Sequence, residues 1–522
     1  MKKASLLSRL RERLAVAMLS TAVMLYATAC AAATPARAQA MPATLQDLAA
    51  QIDAQINQSR FAAADWGIAV VSLDSGRTIY THRADRLLQP ASTAKLYTAA
   101  LVLDTLGANY RIPTRLLSTG TIAHDRLDGP LVLYGMGDPT LDTAGTNVDW
   151  ADQLAAQLAA RGVRHVHGDL IADDSYFAGP ATGSGWEAAD LQSWFAVPAS
   201  ALSVQENIVA VTTSPGAAAG RPARLDFDPS DAMPSLHNTL TTSAARTPSD
   251  INLYRAPGDD TLHAFGSIPV KAPAQTFKLA VADPAQLAGN KLLQALSRHD
   301  IRIDGRLRVL HWPQNDAPLQ ANAATLAEVL SPPLIEVLTR GLKRSQNLYL
   351  QNLLLIAGAK TQADAMQQPD PPSGFLSTEA WGIRALHQIL DGIGIAPADS
   401  LLEEGTGLSR QDLTTANALV RLLQYLAAQP YGVQLHDALP IAGVDGTLEW
   451  RMRNTFAENN VHAKTGSMNY VDCLAGYVTT AAGERLAFAI MLNNYVPPEG
   501  APRTSLDLDA IAEWLAGFTG HS

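Results

Sequence analysis

Cysteine is almost absent, with two residues in 522, Cys30 and Cys473. A disulfide framework is therefore excluded, and stability must come from packing. Lysine is scarce too, at nine residues. Positive net charge is lacking: the formal charge is −10 at pH 7, and a chain of that sign repels the phosphate backbone, which excludes nucleic acid as a partner. The apolar run from Leu14 to Ala29 is too short, and too closely followed by small residues, for a stable membrane span. Neither a Gly-x-Ser-x-Gly elbow nor a His-Glu-x-x-His pair occurs, so the α/β-hydrolase and zinc-peptidase templates lack their anchors. No repeat period or coiled-coil heptad is apparent. What is present is apolar mass: 47% of the chain is hydrophobic, enough at this length for about two or three domains with full cores.

The amino-terminal stretch differs from the rest. Lys2, Lys3, Arg9, Arg11 and Arg13 precede the apolar run, the pattern of a secretory signal over 1–38. Cleavage after Ala38 fits Ala36-Arg37-Ala38, and cleavage after Ala40 fits Ala38-Gln39-Ala40 equally well. A rival is lipidation at Cys30, because Ala27-Thr28-Ala29-Cys30 is similar to a lipoprotein processing site, with Ala27 where leucine is usual. Removing residues 1–38 takes away six basic residues and one acid, moving the formal charge from −10 to −15. Only Cys473 then remains, so no internal disulfide forms even in the oxidising periplasm, the expected location.

Periodicity divides the remainder. Thr44 caps a helix with Leu45, Leu48, Ile52 and Ile56 on one face. A hairpin follows, with strands over 67–73 and 78–81 joined through Asp74-Ser75-Gly76. From Ser92 to Leu106 a nearly continuous apolar helix ends at Gly107, as for a helix buried at a domain centre. From about 109 to 317 short strands and turns dominate, with helices confined to segments such as 151–160 and 284–297, so this region reads as an insertion. Within it, 216–272 reads as strand and turn. Helical periodicity returns at about 318. Ser331-Pro332-Pro333 opens a helix toward Lys343, and strands at 461–465, 474–480 and 486–493 precede a closing helix over 506–515.

Three short segments carry chemistry. In Ser92-Thr93-Ala94-Lys95, positions i and i+3 of a helix share a face, which brings the Lys95 amine to the Ser92 hydroxyl. A free serine is a poor nucleophile; a buried lysine of lowered pKa is a base beside it. Ser345-Gln346-Asn347 is a polar connection between two helices, which taken alone is ordinary loop. In the catalytic reading Ser345 relays a proton to the leaving amine, and the Asn347 amide fixes Lys95 and the substrate amide. Lys464-Thr465-Gly466-Ser467 ends a predicted strand. Gly466 lets a ligand backbone approach the strand edge, while Lys464, Thr465 and Ser467 suit a carboxylate. The backbone N–H groups of Ser92 and Ser467 complete an oxyanion hole. Two other features read as structure: His165-Val166-His167 is a solvent-facing strand with no third metal ligand nearby, and His462 only lines the cleft.

With these residues in place, the chain resembles a low-molecular-mass class C penicillin-binding protein of the D-alanyl-D-alanine carboxypeptidase/endopeptidase family, peptidase family S13. Further matching stretches are Gly137-Asp138-Pro139-Thr140-Leu141, Gly168-Asp169-Leu170, Gly405-Thr406-Gly407-Leu408-Ser409-Arg410, Gly443-Val444-Asp445-Gly446-Thr447-Leu448 and Leu474-Ala475-Gly476-Tyr477. The resemblance implies an α+β fold, an antiparallel sheet flanked by helices. This transpeptidase-like domain spans 41–108 plus 318–522 and is interrupted by an inserted α/β and β region over 109–317. The insertion divides into 109–215 plus 273–317, and 216–272. The resemblance also implies acylation of Ser92 by D-alanyl-D-alanine stem peptides or D-alanyl-diaminopimelate cross-links of peptidoglycan, covalent β-lactam binding, and no metal or organic cofactor. Peripheral membrane contact stays open. Gln346 stands where many members have Asp; the middle residue of this motif points away from the chemistry in the family. Glu404-Gly405-Thr406 replaces a commoner Asp-Gly-Ser, a change expected to alter only local cleft detail.

Two rival functions remain. A β-lactamase of the same clan is opposed by the length, the insertion and the lack of an evident Glu-x-x-Leu-Asn segment. A non-catalytic peptidoglycan-binding protein is opposed by the intact motifs, because binding alone needs no lysine base.

Overall fold

The computed structural model describes residues 41–522 apart from 144–146, 148, 234 and 315–321. The signal segment, its cleavage positions and Cys30 lie outside the described residues. Among those described, no helix is long and apolar enough to cross a membrane.

The central element is a five-stranded antiparallel sheet built from both ends of the chain. Its strands are β1 (Asp65–Ser72), β2 (Thr78–His82), β3 (His462–Met468), β4 (Val471–Thr479) and β5 (Arg485–Asn493), in the order β2-β1-β5-β4-β3. The register pairs Ile68 with Ile490 and Val70 with Phe488 at the middle. Alternation sorts residues between the two faces. Ile68, Val70, Phe488, Ile490 and Leu492 join one core, with α1 (Leu45–Ile56) and the last helix, Ser505–Gly517, packed over it. Ala69, Ala475, Ala487, Ala489 and Met491 join the other. The alanines on this second face let helices come close. Helix α1 starts where expected, in a capping box in which Thr44 and Asp47 bond reciprocally.

The second face carries α2 (Lys95–Thr105), α3 (Leu334–Lys343), α4 (Asn347–Met366), α5 (Thr378–Gly392) and α6 (Ala416–Ala428). Helix α4 is buried over its first thirteen residues, Asn347 to Ala359, and α2, α3 and α5 pack around it. Such all-round burial marks the centre of a helical layer.

The intervening region has its own core. A five-stranded mixed sheet runs in the order Leu307–Leu310, Leu170–Asp173, Leu131–Gly135, Pro113–Ser118, Ala324–Leu330, and helices Trp150–Ala160 and Pro284–Arg298 pack on it. Two strand pairings cross the boundaries expected from the sequence. Ala324–Leu330 pairs with Pro113–Ser118, and Arg224–Asp228 joins Ile208–Ser214 and Gln275–Ala280 in one antiparallel sheet. The first links segments about 200 residues apart and the second joins neighbouring strands across the expected subdomain edge; periodicity reports neither, because it does not say which strands pair.

Asn352 on α4 fastens this region to the helical layer. Its fully buried amide donates to Gly137 O, Ser200 O and Ser203 Oγ, each at 3.1 Å. Removing a donor from buried acceptors costs about 1–3 kcal/mol. Asn352→Ala is therefore expected to lower stability by about that amount in denaturant titration, with faster amide exchange at 195–203. Unchanged exchange in that segment counts against a fastening role.

Candidate active site

Ser92 lies on a 3-10 turn, Ala91–Ala94, and not on the α-helix expected from the sequence; α2 begins at Lys95. Pro90 and the left-handed Ala91 (φ 45°) shape this tighter entry. Residues three apart on such a turn nearly eclipse, and the Lys95 amine is 2.7 Å from Ser92 Oγ. Lys95 is fully buried and also donates to Asn347 Oδ1 at 2.6 Å and Thr406 O at 2.7 Å. These three partners match the three donors of an ammonium group. Burial pulls its pKa down to about 7, against the opposing fields of Glu404 and Asp412.

Ser345 and Asn347 reach the same place from the α3–α4 junction. Helix α3 closes with Ser345 N–H on Leu342 O at 3.2 Å and Gln346 N–H on Gly341 O at 2.9 Å. This is a Schellman closure whose left-handed position holds Ser345 (φ 56°) where glycine is favoured. Gln346 turns away from Ser92 and donates to Glu206 Oε2 at 2.7 Å. Asn347 Nδ2 donates to Phe195 O at 2.7 Å, which holds its oxygen toward Lys95. One of its two amide hydrogens is thus committed to the protein.

Edge strand β3 supplies the third segment. The Lys464 amine donates to Ser345 Oγ and to Thr465 O, both at 2.8 Å. Lys464 is fully buried, and burial together with the positive charge of Lys95 holds its pKa well below the usual lysine range. Thr465 Oγ1 pairs with Thr447 Oγ1 at 2.7 Å. At Gly466 the structure shows a contact that the sequence did not suggest. A Cβ there meets Pro90 O at 2.6 Å and Ser92 N at 3.1 Å, so it is the Ser92 turn that leans on this strand. Ser467 is exposed; with Ser92, Ser345 and Asn347 it lines a cleft of about 440 Å³. Asp190, Trp194 and Phe195 of the inserted region form part of its wall.

Several contributors had no role assigned from the sequence. Glu404 is buried, and its carboxylate accepts N–H bonds from Thr406 (2.9 Å), Gly407 (2.6 Å) and Leu408 (3.0 Å). This cradle presents Thr406 O to Lys95, so the residue does more than alter local cleft detail. Burial and the Glu404 charge push the Asp412 carboxyl well above its ordinary range. Gly407 (φ 78°) is needed because a Cβ there would lie 1.9 Å from Ala91 O. The glycine-rich spacing of 405–407 was the available signal. His462 does not line the Ser92 cleft; its ring stacks on His436 at 3.9 Å. His165–His167 forms a strand with both histidines exposed, as read from the sequence.

Comparison with known proteins agrees with this geometry. Over 500 residues the chain is 33% identical to a D-alanyl-D-alanine carboxypeptidase of Actinomadura sp., covering 94% of this chain and 88% of that protein. It is 27% identical to the D-alanyl-D-alanine carboxypeptidase DacB of Haemophilus influenzae, covering 82% and 85%. The crystal structure of penicillin binding protein 4 (dacB) from Haemophilus influenzae superposes with a TM-score of 0.74 at 25% identity, covering 89% of this chain and 97% of that one. Residues 48–517, which include every element of the cleft, match one family from end to end, and the chain belongs to that family, the D-Ala-D-Ala carboxypeptidase 3 (S13) family.

Proposed function

We propose that this protein is a serine DD-peptidase that hydrolyses D-alanyl-D-alanine termini or D-alanyl-diaminopimelate cross-links of peptidoglycan through an acyl-enzyme on Ser92. One observation carries the reading: a buried amine 2.7 Å from a serine hydroxyl, with a second buried amine 2.8 Å from a second hydroxyl. Ser92 Oγ attacks the carbonyl of the penultimate D-alanine while its proton passes to Lys95 Nζ. The oxyanion is held by the N–H groups of Ser92 and Ser467. Ser345, polarised by Lys464, passes its hydroxyl proton to the departing amine as the C–N bond breaks and takes in exchange the proton that Lys95 received from Ser92, which leaves Lys95 neutral again. Asn347 orients Lys95, and Lys464, Thr465 and Ser467 hold the terminal carboxylate. Water then cleaves the ester and restores Ser92. β-Lactams acylate the same oxygen, and their ring-opened product stays attached.

The same reading assigns 41–108 and the carboxyl-terminal part to a catalytic domain and 109–317 to an insertion. The pairing of Ala324–Leu330 with Pro113–Ser118 supports a return near 331. Residues 1–38 act as the signal for a periplasmic destination, with lipidation at Cys30 the alternative.

Serine in the left-handed position of the α3 closure costs of order 1–3 kcal/mol of backbone strain. That cost places a hydroxyl 2.8 Å from Lys464, a trade of stability for activity.

Labelled penicillin is expected to attach at Ser92, and Ser92→Ala to lose both labelling and D-alanine release; labelling of the variant at the normal level would refute the assignment. Rapid turnover of a chromogenic β-lactam would identify a β-lactamase, and muropeptide binding without product a binding protein. Ser345→Gly is expected to keep or raise the thermal midpoint while the acylation rate falls by about 10²-fold or more. Because Lys95 must be neutral to accept the proton, acylation should rise with pH through about 7. Glu404 raises the Lys95 pKa, so Glu404→Gln moves this acid limb to lower pH and Glu404→Asp restores it. An unmoved limb in stopped-flow acylation would remove Lys95 as the base.

A further inference from the structure

Outside the cleft, one cluster has no part in the reaction. His436 and Asp437 lie on the helix Gly432–Ala438, and His462 opens strand β3. The two imidazoles are stacked, with centroids 3.9 Å apart and planes at 21°. One donor atom from each of the three side chains lies within 4.8 Å of the others. Among the described residues, this is the one group of three or more histidine, cysteine or carboxylate side chains gathered so closely.

We propose that His436, Asp437 and His462 form a divalent transition-metal site, suited to Zn²⁺, that bridges the Gly432–Ala438 helix and strand β3. Two imidazoles and a carboxylate are the ligand set such an ion takes, with water in the remaining position. The orientation of His462 fits. Its Nδ1 lies 3.1 Å from His436 O, and because a carbonyl only accepts, Nδ1 carries the hydrogen and Nε2 keeps its lone pair. A ligating histidine is commonly held in this way, by its second nitrogen on a backbone carbonyl. His436 Nδ1 and Asp437 Oδ1 are 3.2 Å apart, close to the separation of about 3.3 Å between two ligands at tetrahedral angles around zinc. Imidazole lone pairs lie in the ring planes, so two nearly parallel rings do not aim at one ion; binding requires the partly exposed His436 to turn out of its stack on His462 and the exposed Asp437 to swing in.

The surrounding charges permit this. Lys343 is the nearby cation, and its amine is already held by Asp445 Oδ2 at 2.6 Å and Leu439 O at 2.9 Å. The site does not depend on the Ser92 reaction. His462 nevertheless lies two residues before Lys464, on the same face of β3, so an occupying ion ties the amino-terminal end of that strand to the helical layer.

The test uses the full chain after chelator treatment and dialysis. Titration with Zn²⁺ in a calorimeter should give one saturable site per chain and a rise in thermal midpoint, because a ligand bound only by the folded state stabilises it. Co²⁺ should give the visible absorption of a four- or five-coordinate ion. His462→Phe, which preserves ring packing, and Asp437→Asn, at an exposed position, should each weaken Zn²⁺ binding at least about tenfold. Both variants should label with penicillin as the parent does. Absence of saturable heat and of the Co²⁺ band in the parent would overturn the site, as would undiminished binding in both variants.

Discussion

A lysine amine with no exposure to water, held by three neutral oxygens and no directly paired carboxylate, is the constraint on which this structure turns. Lys95 contacts Ser92 Oγ, Asn347 Oδ1 and Thr406 O, which belong to three separate segments of the chain. Desolvation disfavours the cation, and the nearest negative charge acts through an intervening loop. The amine is thereby held near the point of losing its proton, a condition a surface lysine never meets. Each of the three oxygens must be delivered accurately, because an unsatisfied buried ammonium is among the costliest groups a fold can contain.

The architecture reads as the means of delivery. The sheet brings β3 beside the Ser92 turn, and Gly466 removes the side chain that would keep them apart. The buried helix α4 carries Asn347 at its first turn. The inserted region enters the same site: Phe195 O fixes the Asn347 amide, and Glu206 holds Gln346. Even the anion behind Lys95 is constrained, since Glu404 spends its lone pairs on backbone N–H groups of one loop.

Much of this was legible in the sequence because side-chain chemistry and spacing report it directly. Ser92 with Lys95, Ser345 with Asn347, and Lys464 all meet as their motifs suggest, and the antiparallel strands and flanking helices follow from alternation and 3.6-residue periodicity. What was not legible depends on the backbone or on distant partners. Ala91 and Ser345 take positive φ without being glycine, so nothing in their identity announces it. The contact of Gly466 with the Ser92 turn joins residues more than 370 positions apart. Phe195 contributes through its carbonyl, and a carbonyl is the same in every residue. His462, two positions from Lys464, invited assignment to the cleft; its stacking on His436 depends on a helix placed by tertiary packing.

The middle of the catalytic sheet joins β1, near the amino terminus, to β5, near the carboxyl terminus. During synthesis the first strand therefore waits for a partner made more than 400 residues later. A nascent or prematurely stopped chain lacks its central seam, not a dispensable border, so the strand ending at Asn493 must be made before any competent cleft exists.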